Sequence, residues 1–182
     1  MKQFGRSNWY LKTQLFQQKI PSSMMSWLMD EKSLTERLIK GCSKQFRVEV
    51  LSQRWVKPTQ AEMQLLSLSS RQKVMLRQVI LFCGDNPVVF AHSLIPYKTL
   101  KGKHRRLAYL KNKPLGKYLF SNVGLKRSSL QWSRILPNSK LYNLVATSGE
   151  LTGSIWGRRS LFHLGDKKLL VSEYFLPNLL SM

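Results

Sequence analysis

Acidic residues are scarce in this chain, and their scarcity sets the sign of its electrostatic field. The 182 residues include 30 Lys plus Arg but only nine Asp plus Glu, which gives a formal net charge of +21 at pH 7. Such a field raises the local concentration of anions, whether a small dianionic metabolite or a nucleic-acid backbone. The cations extend from Lys2 to Lys168 without forming a low-complexity basic tail of the kind that marks many nucleic-acid-binding proteins. The charge therefore predicts an anionic partner but does not identify its class.

Cysteine and histidine are also rare. The two cysteines, Cys42 and Cys83, have no CxxC spacing, and no HxxxH or HxH spacing joins the three histidines, His92, His104 and His163. Zinc sites and disulfide frameworks usually show such regular spacing. The sequence therefore predicts two buried free thiols, no disulfide and no metal site.

Several longer signals are missing as well. No stretch approaches the roughly 20 apolar residues needed to cross a bilayer, and the basic N-terminal segment lacks the apolar core of a secretory signal. A Gly-rich phosphate loop, a GxSxG elbow and a Cys/His pair at a recognisable spacing are also absent. These absences argue against a membrane span, export, hydrolase chemistry and nucleotide-dependent chemistry. We expect a cytoplasmic protein.

The residues that are present predict a folded protein of one domain, residues 1–182. At this length, with 43% hydrophobic residues, the chain suits a single sizeable core. Helical spacing runs through residues 22–41, and Ser33 with Glu36 forms a capping-box pattern. We therefore expect two short helices that meet near Lys32.

Strand patterns fill most of the remaining chain, and turn sequences join them into hairpins. Further helices are expected in the basic stretch 98–111 and in "PLGKYLF". Residues 137–154, rich in Asn, Ser, Thr and Gly, predict an excursion from the sheet. The resulting fold class is α+β, an antiparallel sheet with helices packed on one face. The predicted strands are residues 46–55, a segment ending at 83, 88–96, 123–136, 155–164 and 167–177.

Two charged residues fall on apolar faces of these strands. Strand parity places Glu173 with Leu169, Val171 and Phe175, and it likewise places Arg77 on a mostly apolar face. A charge removed from water needs a partner, so Glu173 is paired with a cation such as Arg77, hydrogen-bonded, protonated or turned toward a ligand, unless it is solvated on a twisted segment or near the sheet edge. From the residues alone these alternatives stay open.

Arg158 and Arg159 form the other notable pair of charges. They are consecutive residues of the predicted strand "IWGRRSLFHL", so their side chains point to opposite faces of the sheet. At least one of the two is therefore free to be solvated.

Five motifs in order resemble the chorismate pyruvate-lyase family, whose members make 4-hydroxybenzoate for ubiquinone. They are "WLMDEKSLTERL", "LRQVILFCGDNPVVFAHSLIP", "KPLGKYLF", "WGRRS" and "LLVSEYFLP", and together they span about residues 25–177. The resemblance implies one α+β domain with helical flaps over an internal ligand site. It also implies an activity that needs no metal and no cofactor, with chorismate as substrate and 4-hydroxybenzoate as product.

The resemblance also implies roles for four residues. Arg77 and Glu173 fall on the family's ligand-binding arginine and glutamate, and we expect both to be catalytic, Arg77 on the ring carboxylate and Glu173 on the ring hydroxyl. Glu173 would also relay a proton if its environment raises its pKa. Leu115 of the "PLG" motif and Leu34, where the family often has methionine, are expected to line the pocket and form its lid.

Two departures from the family pattern stand out. His92 occupies a position where a relative has arginine, which puts an anion contact there in doubt. The excursion at 137–154 is about fifteen residues longer than in that relative, and we expect it to alter the surface more than the chemistry.

The expected function is thus a carbon–oxygen lyase acting on chorismate as a monomer, without nucleic-acid partners. One alternative is a non-catalytic domain that senses an aromatic acid, because ligand-sensing domains of some bacterial transcription regulators resemble this fold. The second alternative is a nucleic-acid-binding protein that depends on the +21 charge.

Overall fold

The computed structural model describes residues 9–137, 139–146, 151 and 153–182. This part of the chain contains seven strands and six α-helices, with short 3₁₀ helices at Tyr97–Leu100, Gly102–Tyr109 and Pro177–Ser181. The strands are β1 (Phe46–Val56), β2 (Val74–Cys83), β3 (Asn86–Pro96), β4 (Leu125–Arg127), β5 (Gln131–Ile135), β6 (Ile155–Leu164) and β7 (Lys167–Phe175). The helices are α1 (Lys12–Leu15), α2 (Ser22–Leu28), α3 (Leu34–Gly41), α4 (Gln60–Leu66), α5 (Leu115–Phe120) and α6 (Lys140–Ala146).

All seven strands belong to one antiparallel sheet. The order across it is β1-β2-β3-β7-β6, and β4 and β5 both pair with the outer edge of β6. The two predicted hairpins, β2–β3 and β6–β7, turn at Gly84 and Gly165, where the left-handed backbone (φ of 59° and 65°) favours glycine. The predicted α+β class with an antiparallel sheet is confirmed.

Helices cover both faces of the sheet, whereas the sequence predicted only one covered face. On one face, α2, α3 and α5 pack over residues of β2, β3 and β7 in two adjoining apolar clusters. On the other face, Leu66 of α4 packs with Leu76 and Leu170, while Leu141 and Val145 of α6 pack with other strand residues. Both faces of the central strands are apolar, which explains why helices cover the second face as well as the first.

The predicted break between α2 and α3 is confirmed. Helix α3 begins after Ser33, whose Oγ accepts a hydrogen bond from the backbone N–H of Glu36 at 3.4 Å. The predicted helix at 98–111 is instead 3₁₀ helix, interrupted near Gly102 with its φ of 60°. The predicted strand at 123–136 is divided into β4 and β5, because Ser128 Oγ accepts the backbone hydrogen bond from Leu161.

The prediction of two free thiols is wrong, because Cys42 and Cys83 form a disulfide. Their Cα atoms lie 5.6 Å apart, inside the usual range for this bond. The β1–β2 register places Phe46 opposite Cys83, and Cys42 precedes Phe46 by only four residues. The bond therefore ties the C-terminal end of α3 to the end of β2, a proximity that the sequence spacing did not indicate.

The described part of the excursion at 137–154 packs on the side of the sheet away from α2, α3 and α5. Its described residues include α6, whose Leu141 and Val145 are buried against Ile80 and Phe90. The remainder of the excursion, residues 138, 147–150 and 152, lies outside the described residues. The described part adds a cover to the second face.

Candidate active site

A cavity lies between the sheet and the helices α3 and α5. It encloses about 580 Å³ of empty space, a figure that includes space open to solvent. Its walls are mostly apolar, with a few charged or polar groups. The lining residues are Lys32, Leu34, Thr35, Val48, Arg77, Val79, Leu81, Ala91, Ser93, Pro114, Leu115, Gly116, Leu119, Phe120, Arg127, Phe162, Val171 and Glu173.

The structure brings all four predicted site residues together at this cavity. Arg77 projects from β2 and Glu173 from β7, while Leu34 and Leu115 are the first residues of α3 and α5. Two charged residues thus come from the floor of the site and two leucines from its cover. This is the arrangement that strand parity and the family resemblance predicted, although contact with a ligand remains a prediction for each residue.

Arg77 is held by backbone carbonyls rather than by a carboxylate. Its side chain is 1% exposed, and Nη2 donates hydrogen bonds to the carbonyls of Lys111 at 2.7 Å and Lys113 at 3.1 Å. Burial lowers the pKa of Arg77 to about 10, which still leaves the guanidinium charged at neutral pH. Nε is buried and has no hydrogen-bond partner among the described residues. The group is thus a buried cation with a free donor.

Glu173 is paired with a cation, and the partner is Arg158. Arg158 Nε donates to Glu173 Oε2 at 2.7 Å, and the two side chains are 1% and 17% exposed. The suggested pair with Arg77 is absent from the salt bridges of the described residues. Glu173 is therefore neither fully solvated nor bonded to Arg77, and it lines the cavity.

Arg158 and Arg159 do lie on opposite faces, but neither is simply solvated. Arg158 is fully buried on the cavity face. Arg159 is half-buried on the other face, where Nε donates to Gln131 Oε1 at 2.8 Å and the guanidinium lies 4.2 Å from the ring centroid of Trp9. Only Arg158 therefore belongs to the site.

Arginines of the sheet also anchor the covers of the cavity. We call residues 22–41 the first flap and residues 111–120 the second flap. Arg158 donates to the carbonyls of Trp27 and Asp30, and Arg127 to that of Glu31, all in the first flap. Arg77 anchors the second flap through the two carbonyls described above. Each flap is thus tied to a charged group of the cavity floor.

The two flaps meet at Gly116. A Cβ atom built on Gly116 would lie 2.7 Å from Thr35 Oγ1, closer than such atoms approach one another. Only glycine therefore allows α5 to approach α3 this closely. The contact joins the two flaps next to Leu34 and Leu115, the residues before Thr35 and Gly116.

Sequence reasoning missed two cations that line the cavity, Arg127 and Lys32. Arg127 Nε donates to Ser160 Oγ at 2.7 Å, and burial lowers the pKa of its guanidinium, with smaller opposing effects from nearby charges such as Glu173. Lys32 lies in the connection between α2 and α3. The signal that could have found Arg127 was its position in the predicted strand 123–136. That prediction ran the strand without a break through residues 128–130, where the structure has no strand.

His92 points away from the cavity. It lies on the opposite face of β3, where its ring centroid is 5.5 Å from that of Tyr174. Burial and, secondarily, Arg159 lower the pKa of His92 to about 4, so the ring is neutral near pH 7. Its neighbours Ala91 and Ser93 line the cavity instead. Having histidine instead of arginine at this position therefore does not remove a cation from the cavity wall of this chain.

Two negative findings apply to the described residues. They contain no group of three or more His, Cys, Asp or Glu side chains placed to hold a metal ion. Within the same residues, none of the helices combines the length and the hydropathy needed to cross a bilayer.

Comparison with protein families gives a match over nearly the whole chain. The family model described as "Chorismate lyase" matches residues 4–182. A protein of Methylobacillus flagellatus named "Probable chorismate pyruvate-lyase" is 44% identical over 157 residues, covering 86% of this chain and 88% of that protein. A protein of Methylococcus capsulatus with the same name is 37% identical over 159 residues, covering 87% and 98%.

Solved structures with a similar fold include transcriptional regulators of the GntR family. One from Enterococcus faecalis has a TM-score of 0.52 at 17% identity and covers 74% of this chain and 92% of its own. One from Bacillus cereus has a TM-score of 0.55 at 14% identity and covers 73% and 92%. At these identities the likeness concerns the fold alone.

Proposed function

The chain belongs to the chorismate lyase family, and from this premise we propose that it eliminates pyruvate from chorismate to give 4-hydroxybenzoate. The observation that carries the proposal is the cavity, in which a buried cation and an acid stand apart on the same floor, Arg77 on β2 and Glu173 on β7. An elongated ligand with a carboxylate at one end and a hydroxyl at the other fits such a site.

The chemistry of chorismate asks little of the protein beyond binding. The ether bond between the ring and the enolpyruvyl group breaks, the ring carbon that carries the hydroxyl loses its hydrogen, and the ring becomes aromatic. The departing enolpyruvate gains a proton at its methylene carbon and becomes pyruvate. Because aromatisation drives the reaction, holding one reactive conformer away from water supplies the main contribution. The described lining residues accordingly include neither cysteine nor histidine.

In this proposal, Arg77 binds the ring carboxylate. Its Nε is buried without a hydrogen-bond partner, and a guanidinium suits a carboxylate because its planar N–H groups donate in parallel. The carbonyls of Lys111 and Lys113 fix the plane of the group. The carboxylate would therefore meet an oriented donor, and its binding would be coupled to the position of the second flap.

Glu173 binds the ring hydroxyl at the other end. Arg158 occupies Oε2, which leaves the other carboxylate oxygen to accept a hydrogen bond from the ligand. The same oxygen is the candidate to relay the proton that leaves the ring. Leu34 and Leu115 supply apolar walls over the ring, one from each flap.

The positive charge of the protein would also assist substrate binding. The net charge of +21 would draw the dianionic substrate inward, an effect that weakens as salt shortens the screening length to about 8 Å near physiological ionic strength.

We also propose that the protein is a cytoplasmic monomer supplying 4-hydroxybenzoate to ubiquinone synthesis, with no nucleic-acid partner. Light scattering during size-exclusion chromatography tests the monomer.

Ultraviolet absorbance tests the activity. Purified protein mixed with chorismate should show 4-hydroxybenzoate growing in, and no product at micromolar enzyme would contradict the proposal. The fold likeness to transcriptional regulators favours one alternative, a sensing domain for an aromatic acid. Tight binding of 4-hydroxybenzoate without any turnover of chorismate would support that alternative.

A further inference from the structure

The cavity carries more positive than negative charge. Among its described lining residues are three cations, Lys32, Arg77 and Arg127, and one carboxylate, Glu173, which is already paired with Arg158. None of the three lining cations takes part in a salt bridge among the described residues. If Arg77 takes the ring carboxylate, the positive charge of the other two remains available.

Arg127 is oriented but not neutralised. Nε donates to Ser160 Oγ at 2.7 Å and Nη1 to the carbonyl of Glu31 at 2.8 Å, and both acceptors are uncharged. The guanidinium carbon lies 5.1 Å from the ring centroid of Phe162. Burial lowers the pKa of Arg127, which reports the cost of keeping this charge away from water. A partly buried cation held in place without a counter-ion is suited to an anionic ligand.

The order of the strands places Arg127 on the side of Glu173 that is remote from Arg77. The sheet runs β2-β3-β7-β6-β4, with Arg77 on the first of these strands, Glu173 on the third and Arg127 on the fifth. At about 4.8 Å between neighbouring strands, the backbones of β2 and β4 lie roughly 19 Å apart. Both arginine side chains nevertheless reach the same cavity, and Arg127 is close enough to interact electrostatically with Glu173.

We propose that Arg127, assisted by Lys32, is the subsite for the carboxylate of the enolpyruvyl side chain of the substrate. This inference rests on the proposed function. With the ring carboxylate at Arg77 and the ring hydroxyl at Glu173, the ether oxygen sits on the carbon next to the hydroxyl. Its side chain therefore leaves the ring near Glu173 and extends past it toward β4, where Arg127 stands.

The subsite would act on substrate and not on product. Chorismate carries the second carboxylate, whereas 4-hydroxybenzoate lacks it. The Arg127 guanidinium also donates to Glu31, the residue before Lys32, so an anion bound there would contact the first flap and the floor together. Loss of pyruvate would remove that link, while Arg77 and Glu173 would still hold the aromatic product.

Arg127→Gln is the direct test, with the KM for chorismate and the Kd for 4-hydroxybenzoate measured on the same preparations. We expect the chorismate KM to rise about tenfold or more, as for loss of a charge-assisted hydrogen bond, while the Kd for 4-hydroxybenzoate changes by less than about threefold. Arg77→Gln should weaken both ligands. Lys126→Gln is the matched control, since it removes one exposed charge from the same strand and should change neither constant.

Two results would overturn the subsite. The first is an unchanged KM for chorismate in Arg127→Gln. The second is an equal loss of affinity for chorismate and 4-hydroxybenzoate, which would show that Arg127 acts only by holding the flap. The proposed function fails differently, since wild-type protein would then form no 4-hydroxybenzoate.

Lys32→Gln and Arg127→Lys keep the test decisive if Arg127→Gln does not fold. Lys32 is exposed at the cavity mouth, so its substitution leaves the core intact. Lys32→Gln should raise the chorismate KM without affecting 4-hydroxybenzoate, and Arg127→Lys, which keeps the charge, should retain most of the wild-type affinity. Wild-type constants in Lys32→Gln combined with a complete loss of chorismate binding in Arg127→Lys would contradict the proposal.

Discussion

Arg158 and Glu173 form a salt bridge between neighbouring strands of the cavity floor. Arg158 Nε lies 2.7 Å from Glu173 Oε2, and the two residues are directly opposite each other in the β6–β7 register. The same guanidinium donates to the carbonyls of Trp27 and Asp30 in the first flap. One buried cation thus positions both the acid proposed to bind the ring hydroxyl and the cover above it.

Glu173→Gln should lower both activity and stability. The substitution leaves Arg158 buried without its counter-ion, which typically costs about 3 kcal/mol in the free energy of unfolding. Loss of an acid that binds and relays a proton should reduce kcat roughly 100-fold or more. Urea denaturation and the chorismate assay measure the two effects.

Glu49→Gln provides the matched control for this prediction. Glu49 forms a salt bridge with Arg47 at 3.1 Å, but the two side chains are 51% and 43% exposed. An exposed pair contributes up to about 1 kcal/mol, so the control should stay close to wild type in both measurements. Equal losses in Glu173→Gln and Glu49→Gln would contradict the account of the buried pair.

Arg77→Ala should weaken binding of substrate and product alike. It removes the proposed partner of the ring carboxylate, which both ligands carry, and a lost charge-assisted interaction corresponds to roughly 10- to 100-fold in affinity. It also removes the donor for the carbonyls of Lys111 and Lys113, so amide hydrogen exchange in the second flap should become faster. Wild-type kinetics in this variant would rule out the assigned role.

Reduction of the Cys42–Cys83 disulfide should destabilise the protein. The bond closes a loop with a sequence separation of 41, for which the loop-entropy relation gives about 4 kcal/mol. Thermal unfolding with and without a reductant measures the effect, and Cys83→Ser should abolish the sensitivity. If alkylation followed by mass spectrometry finds two free thiols in the untreated folded protein, the disulfide is absent.

Stability should depend on pH through His92. Burial lowers its pKa to about 4, below the usual value of about 6.5 in an unfolded chain. Between these values the unfolded state binds more protons, so His92 contributes stability above about pH 6.5 that is lost as the pH falls toward 4. Urea denaturation across this range should show a steeper decline in wild type than in His92→Gln. Identical slopes would contradict the buried neutral state of His92.

Strand parity found two of the charged residues of the site because it depends only on local geometry. In a strand with period 2, Arg77 and Glu173 had to share faces with apolar neighbours, and both do line the cavity. Leu34 and Leu115 came from the family resemblance instead, since nothing in their apolar side chains marks a pocket. The paired helices around Ser33 were predictable because capping is equally local.

Several features that the sequence missed depend on contacts between distant segments of the chain. The partner of Glu173 depends on the register of β6 against β7, and the disulfide depends on the register of β1 against β2. Arg127 was hidden because Ser128 breaks the strand that contains it, which interrupts the period used to assign faces. Sequence periodicity cannot supply register, so pairing between strands could not be predicted.

A crystal structure of the complex with 4-hydroxybenzoate would show whether Arg77 and Glu173 bind the two ends of the product. We predict the product in the cavity beneath both flaps, with its carboxylate within hydrogen-bond distance of Arg77 and its hydroxyl within hydrogen-bond distance of Glu173. Product bound elsewhere, or bound in the cavity without contact to either residue, would contradict it.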